Sequence, residues 1–166
     1  MIDRLSKIVL TAAIACFFSL VVVNNLTDYG TNFAFVQHVL AMDTIYPTST
    51  LSWRAITHPL LQHLVYWGII LWEALIAVLC WVGVWRLSQN ISAEASRFHA
   101  AKSSVLLGLT ASCLLWLVGF FCIAGEWFAM WQSPVWNGQP IGFRMFVMTS
   151  LVLLLVRQPD FELQDD

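Results

Sequence analysis

Residues 60–85 read LLQHLVYWGIILWEALIAVLCWVGVW and carry a single charged side chain, Glu73. A helix of this length rises about 39 Å at 1.5 Å per residue. It therefore exceeds the roughly 30 Å hydrocarbon core of a bilayer. It is apolar on every face, so it is covered all round by protein or by lipid. A run of this length with one charge is read as membrane-spanning.

Three further stretches read the same way. No charge falls between Lys7 and Asp28, or between Lys102 and Glu126. The last stretch carries Arg144 close to its start, and it spans if Pro140 opens the helix and Arg144 lies in the interface. The predicted spans are 8–26, 60–85, 105–127 and 141–157. They fall within one four-span transmembrane domain, residues 1–157, followed by an acidic tail, 158–166, expected to fray. Composition agrees. The chain is 59% hydrophobic and 11% charged, against about 45–50% and about 25% for ordinary soluble domains. That excludes a soluble globular enzyme, a disordered chain and a basic nucleic-acid binder. Long apolar runs are helices, not the alternating ten-residue strands of a barrel. The expected fold is an all-α membrane protein, a four-helix transmembrane bundle.

Orientation follows from Lys and Arg. Arg4, Lys7, Arg86, Arg97, Lys102 and Arg157 fall on one side, and Arg54 and Arg144 on the other. The positive side is cytoplasmic. A multi-pass protein of the bacterial inner membrane follows, with both termini and the 86–104 loop cytoplasmic and the 27–59 loop periplasmic. Ala13-Ile14-Ala15-Cys16 hints at a lipoprotein cleavage box, but the apolar run continues to Val23 without a turn. An uncleaved helix is the better reading.

The 27–59 loop is long for a connection. Within 32–42, Phe33, Val36, Val39 and Leu40 share a face, with Gln37 and His38 near the other, which is amphipathic helical spacing. This helix either lies in the outer interface or caps the bundle. After the Tyr46-Pro47-Thr48-Ser49 turn, Ser49 or Thr50 is placed to cap a short helix through Ile56. The 86–104 loop is polar and compatible with a helix. Trp53, Trp67, Trp127, Trp131 and Trp136 fall at the outer interface, and Trp81 and Trp85 at the inner one, as an anchoring aromatic belt. Trp72 and Trp116 lie near mid-membrane, where an indole N–H needs a partner.

Few side chains offer chemistry. Cys16, Cys80, Cys113 and Cys122 lie within spans and form no Cys-x-x-Cys pair, which excludes a membrane thiol oxidoreductase. His38, His58 and His63 map to the outer side and His99 to the inner loop. They provide no pair on facing helices for a haem and no diagnostic metal spacing. No catalytic residue, metal or tightly held cofactor is expected, although a lipid or quinone would fit such a chain.

Glu73 stands out. An ionisable group near the midplane costs at least about 2.5–3.5 kcal/mol to insert, so it should face the bundle or a cavity. At 100° per residue, Gln62, Tyr66, Glu73 and Cys80 fall on one stripe, and with Trp72 they form an intramembrane polar or ligand site. Two readings stand side by side. One is a relay for protons or cations, or an anchor for a ligand head group. The other is a protonated carboxyl bonded to Ser112, Trp116, Thr149 or Ser150. A second constellation is expected at the outer face. Glu126 ends the third span and Arg144 begins the fourth, so a hairpin would pair them as a latch. His38, Asp43, Arg54, His63, Trp127 and Trp131 surround it. Ala12, Cys16 and Ser19 on span one, and Gly108, Ser112, Gly119 and Cys122 on the stripe of Glu126, are expected to be helix–helix contacts.

Several stretches carry a resemblance. They are Phe35-Val-Gln-His-Val-Leu-Ala-Met-Asp43, Trp53-Arg-Ala-Ile56, Tyr66-Trp67 through Trp72-Glu73, Gly125-Glu-Trp-Phe-Ala-Met-Trp-Gln-Ser133, Trp136-Asn-Gly-Gln139 and Phe143-Arg144. Together they resemble the bacterial family of predicted small integral membrane proteins called domain of unknown function 2165. Pro134 and Pro140 depart from the pattern. The resemblance implies a four-span inner-membrane protein and brings no activity, cofactor or catalytic residue. Three functions are left open. The first is an accessory or structural subunit of a larger membrane complex, with an integral membrane protein and membrane lipids as partners. The others are a proton or small-solute carrier working through Glu73, and a lipid- or quinone-binding protein.

Overall fold

The structure is a computed structural model that describes residues 1–162. It is all-helical, with no strand among the described residues. Helix α1 (Ile2–Thr27) is followed after Asp28 by α2 (Tyr29–Ala41). Then come α3 (Pro59–Gln89), the short α4 (Ala95–Ala101), α5 (Ser103–Leu114) and α6 (Gln139–Arg157). Beyond Leu114, α5 runs on as a π-helical segment, Leu115–Trp127. Four helices, Ile2–Thr27, Pro59–Gln89, Ser103–Trp127 and Gln139–Arg157, are long and apolar enough to cross a membrane. Pro140 occupies the first turn of α6, where its missing N–H costs nothing.

The four long helices close a ring. Helix α1 packs on α3, α3 on α5, α5 on α6, and α6 returns to α1. The core they enclose includes Phe18, Ile76, Cys80, Leu109 and Val156. The tightest approach is between α3 and α5. A Cβ on Gly83 would collide with Val105 Cγ2 and lie 2.9 Å from Val105 N, and one on Gly108 would lie 2.8 Å from Cys80 Sγ. Small residues let the two backbones meet.

On α1 the buried face is Arg4, Lys7, Ile8, Thr11, Ile14, Ala15 and Phe18, not the expected Ala12, Cys16 and Ser19. Cys16 is exposed, and Ala12 and Ser19 are half-buried. The face is chosen at the helix's start, where Arg4 and Lys7 turn inward to polar partners. The stripe expected on α5 also fails beyond its midpoint. Gly108 and Ser112 are buried, but Cys122 and Glu126 are exposed and Gly125 is buried instead. A π-helix closes i→i+5 bonds and is wound wider than an α-helix, so extrapolation at 100° per residue loses register there.

Helix α2 caps the end of the bundle far from the chain termini. Val39, Leu40 and Met42 form a second small core with Phe128, Ala129 and Met130. Met42 and Ala129 end their turns at φ 52° and 51°. The Ile56 amide donates to Leu40 O at 2.8 Å, tying the return strand of the loop to α2. The expected short helix through Ile56 shrinks to one 3-10 turn, Ser52–Arg54, and Ser49 Oγ accepts from the Leu51 amide at 3.4 Å.

The described part of the tail is not frayed. Residues 158–162 fold back under the bundle as a strap. Lys7 Nζ pairs with Asp160 Oδ1 at 2.7 Å and donates to Gln158 O at 3.0 Å. Lys102 pairs with Asp160 and donates to Gln158 O at 2.8 Å. Arg4 donates to Ile91 O, Ala93 O and Phe161 O. The rest of the expected tail, 163–166, lies outside the described residues.

Candidate functional site

The polar stripe of α3 is buried throughout. Gln62, Tyr66, Glu73 and Cys80 are 3%, 2%, 6% and 0% exposed, in a helix otherwise apolar all round. Glu73 meets α1. Asn25 Nδ2 donates to Glu73 Oε2 at 2.7 Å, and the Tyr66 hydroxyl donates to Asn25 Oδ1 at 3.2 Å. Three side chains from two helices thus make one polar corner. Asn25 continues the buried face of α1 two turns beyond Phe18, and that spacing is the signal by which the sequence could have revealed it.

The alternative partners expected for Glu73 are not its partners. Ser112 Oγ and Trp116 Nε1 are buried without a hydrogen bond among the described residues. Thr149 bonds back to Met145 O at 2.9 Å, and Ser150 Oγ lies 3.5 Å from Cys113 Sγ.

The corner opens into a cavity of about 310 Å³, within the roughly 300–1,000 Å³ range of small-molecule sites. Its walls come from α1, α2, α3 and the π segment. They are apolar and aromatic, with Phe35, Tyr66, Trp116, Phe120 and Phe128 among them. Asn25, Asn32 and Glu73 supply most of the polar lining. Of the other stripe residues, Gln62 sits above the cavity, donating to Ile56 O at 2.8 Å and facing Gln37 Nε2 at 3.4 Å. Trp72 is not brought to the corner. Its indole N–H donates to Ala111 O at 3.0 Å, so it bridges α3 and α5.

The latch does not form. Glu126 and Arg144 are both exposed, and neither belongs to an ion pair among the described residues. The π winding turns Gly125 inward in place of Glu126. A Cβ on Gly125 would lie 2.6 Å from Gln139 Nε2, and one on Gly142 would lie 3.1 Å from Phe120 Cδ1. Packing of Gly125 and Phe120 closes the hairpin where charge was expected to.

The remaining far-end residues divide into separate groups. His38 pairs with Asp43 at 2.6 Å and stacks on Trp136. His63 Nδ1 meets the Tyr29 hydroxyl at 2.8 Å, with Phe33 stacked at 4.1 Å. Arg54 donates to Trp127 O at 3.2 Å, and its guanidinium lies 5.4 Å from the Trp53 ring and 4.7 Å from the Trp127 ring. Trp131 meets Tyr46 edge-on.

Sequence reasoning missed the polar cluster at the termini end. Asp160 is 1% exposed, with Lys7 (3%) and Lys102 (1%) on one side and His99 Nδ1 at 3.3 Å on the other. Burial alone would raise the Asp160 pKa, but hydrogen bonds and positive charge from Lys102 and Lys7 hold it below the usual aspartate value. Burial pushes the Lys102 ammonium below the usual lysine value, against the pull of Asp160.

No curated protein and no solved structure matches the chain. The profile of a family described as predicted small integral membrane proteins, DUF2165, matches residues 3–159. That match covers nearly the whole chain, and it accords with four membrane-length helices; the chain belongs to this family of small integral membrane proteins.

Proposed function

We propose that the protein holds an amphipathic small molecule in the cavity between α1, α2, α3 and the π segment, and does no covalent chemistry on it. One observation carries this reading. An apolar, aromatic-walled cavity of about 310 Å³ contains one carboxyl, that of Glu73, which is otherwise costly to keep inside a membrane. The apolar walls suit the body of a lipid-like molecule and the corner suits its head group. A carrier of protons or small solutes would use the same carboxyl.

A second reading is favoured by a different feature. Trp53 and Trp127 are 71% and 49% exposed and flank Arg54, and Trp and Arg are the residues that anchor protein interfaces. This supports an accessory subunit of a larger membrane complex. One preparation tests both readings. The protein is extracted from its own membrane in mild detergent, and its bound small molecules and companions are analysed by mass spectrometry. The first reading expects a species enriched over bulk phospholipid and lost in Gly119→Leu. Gly119 lines the cavity, and a Cβ there meets only Leu115 Cδ1 at 3.7 Å, so a larger side chain has room to take up cavity space. Bulk phospholipid alone would sink it. The second expects a stoichiometric membrane partner that Trp53→Ala and Trp127→Ala release. A clean chain in several detergents would sink that one.

We also propose a bacterial inner membrane location with both termini in the cytoplasm. Arg4, Lys7, Arg86, Arg97, Lys102 and Arg157 gather at the termini end, leaving Arg54 and Arg144 at the other. With the native cysteines replaced, Thr48→Cys should react with a membrane-impermeant maleimide in intact cells, and Arg97→Cys only after lysis. The reverse pattern would invert the topology.

A further inference from the structure

The geometry points to an amphipathic cation, a protonated amine on an apolar body, as the ligand of the Glu73 cavity. This rests on reading the cavity as a ligand site and goes beyond it in naming the charge. The argument is a count of hydrogen-bonding capacity at the polar lining. The Tyr66 hydroxyl is spent on Asn25, and Asn25 Nδ2 commits one of its two N–H donors to Glu73 Oε2. Asn32 Nδ2 is spent on Asn24 O at 3.3 Å and Asp28 O at 3.0 Å. The Trp116 indole N–H has no partner, but it is buried within the wall and presents almost no surface.

What Glu73 itself leaves open is acceptor capacity. Glu73 Oε1 has no hydrogen-bond donor among the described residues. In its ionised form the carboxyl accepts and does not donate, so a guest bound to that form brings the donor. A guest that also brings positive charge neutralises the one acid in the cavity. The walls suit such a guest, because aromatic faces carry the negative end of a quadrupole and attract cations. Phe35, Tyr66, Phe120 and Phe128 line the same cavity. A ligand that recognises its site only through carbonyl acceptors would leave Glu73 Oε1 unmatched.

The test uses the full chain in phosphatidylcholine nanodiscs, whose zwitterionic lipid does not itself collect cations. Three isosteric probes are compared by equilibrium dialysis, with empty nanodiscs subtracted. They are 4-phenylbutylamine, the neutral 4-phenylbutan-1-ol and the anionic 4-phenylbutanoate. The amine is expected to bind saturably, one per chain, at least tenfold more tightly than the alcohol, with the anion weakest. Glu73→Gln should remove that preference, so that the amine binds no more tightly than the alcohol. Equal binding of amine and alcohol by the wild type would overturn the inference while leaving a ligand cavity standing. Saturable binding of none of the three would overturn both. If Glu73→Gln does not fold, the wild-type amine-to-alcohol ratio still decides the matter.

Discussion

Asp160→Ala should destabilise the protein by about 3–5 kcal/mol, the range measured when one partner of a buried ion pair is removed. The reason is what it leaves behind. Lys7 and Lys102, 3% and 1% exposed, would face each other with no acid between them. Thermal unfolding in mild detergent checks the size of the loss, and limited proteolysis after Arg157 should begin at once in the variant. The remedy is as informative as the damage. Replacing all three groups by apolar side chains, Asp160→Leu with Lys7→Met and Lys102→Met, should restore most of the loss, because no charge is then left buried. If the triple variant is worse than the single one, the backbone carbonyls of Gln158 and not the charge balance hold the strap. Acid should mimic the single variant. The Asp160 pKa in the fold lies below its unfolded value of about 3.9, so its stabilisation is complete above that pH. It is lost as pH falls through the lower, folded value. Lys102 has the same sense at a higher pH. Its lowered folded pKa means that stability is gained, not lost, as pH rises toward the ordinary lysine value. The strap should therefore loosen on the acid side only.

Gly83→Leu should prevent the bundle from assembling, and Gly83→Ala should cost about 1–3 kcal/mol, the usual range for overpacking a tight core. The contact is with backbone as well as side chain. A Cβ at Gly83 falls 2.9 Å from Val105 N and 3.2 Å from Val105 Cα, and a backbone on a neighbouring helix cannot rotate away. The pair α3–α5 would have to separate along its length. Gly68 is the control. It sits on the same helix with nothing within 4 Å of its Cβ position, so Gly68→Leu should be tolerated. Monodispersity on size exclusion and thermal midpoint report both. Equal behaviour of the two variants would mean that α3 and α5 do not pack at this register.

The contrast between those two glycines marks where sequence reading stops. Four spans are legible because hydrocarbon length and apolar composition are properties of single segments. The stripe through Gln62, Tyr66, Glu73 and Cys80 is legible too, because an α-helix has one period and a buried acid restricts which face turns inward. Asn25 was reachable by the same arithmetic on α1. The Glu126–Arg144 latch fails for a reason that periodicity cannot supply. Leu115–Trp127 is wound as a π-helix, and no spacing of apolar residues distinguishes it from α. Asp160 was misread for another reason. Near the last charged residues of a chain, an aspartate looks like solvated tail, and only tertiary contact across 153 positions with Lys7 makes it a core residue.

That separation also sets an order of events. Lys7 is made with α1, and Lys102 follows between α3 and α5. Their common counter-ion is not made until 153 residues after Lys7. Throughout synthesis both ammonium groups must stay hydrated at the membrane surface, and the base of the bundle cannot close around them. Closure therefore comes last. A chain halted anywhere before residue 160 keeps two unmatched positive charges at its base, a mark by which a quality-control protease could tell the unfinished protein from the finished one.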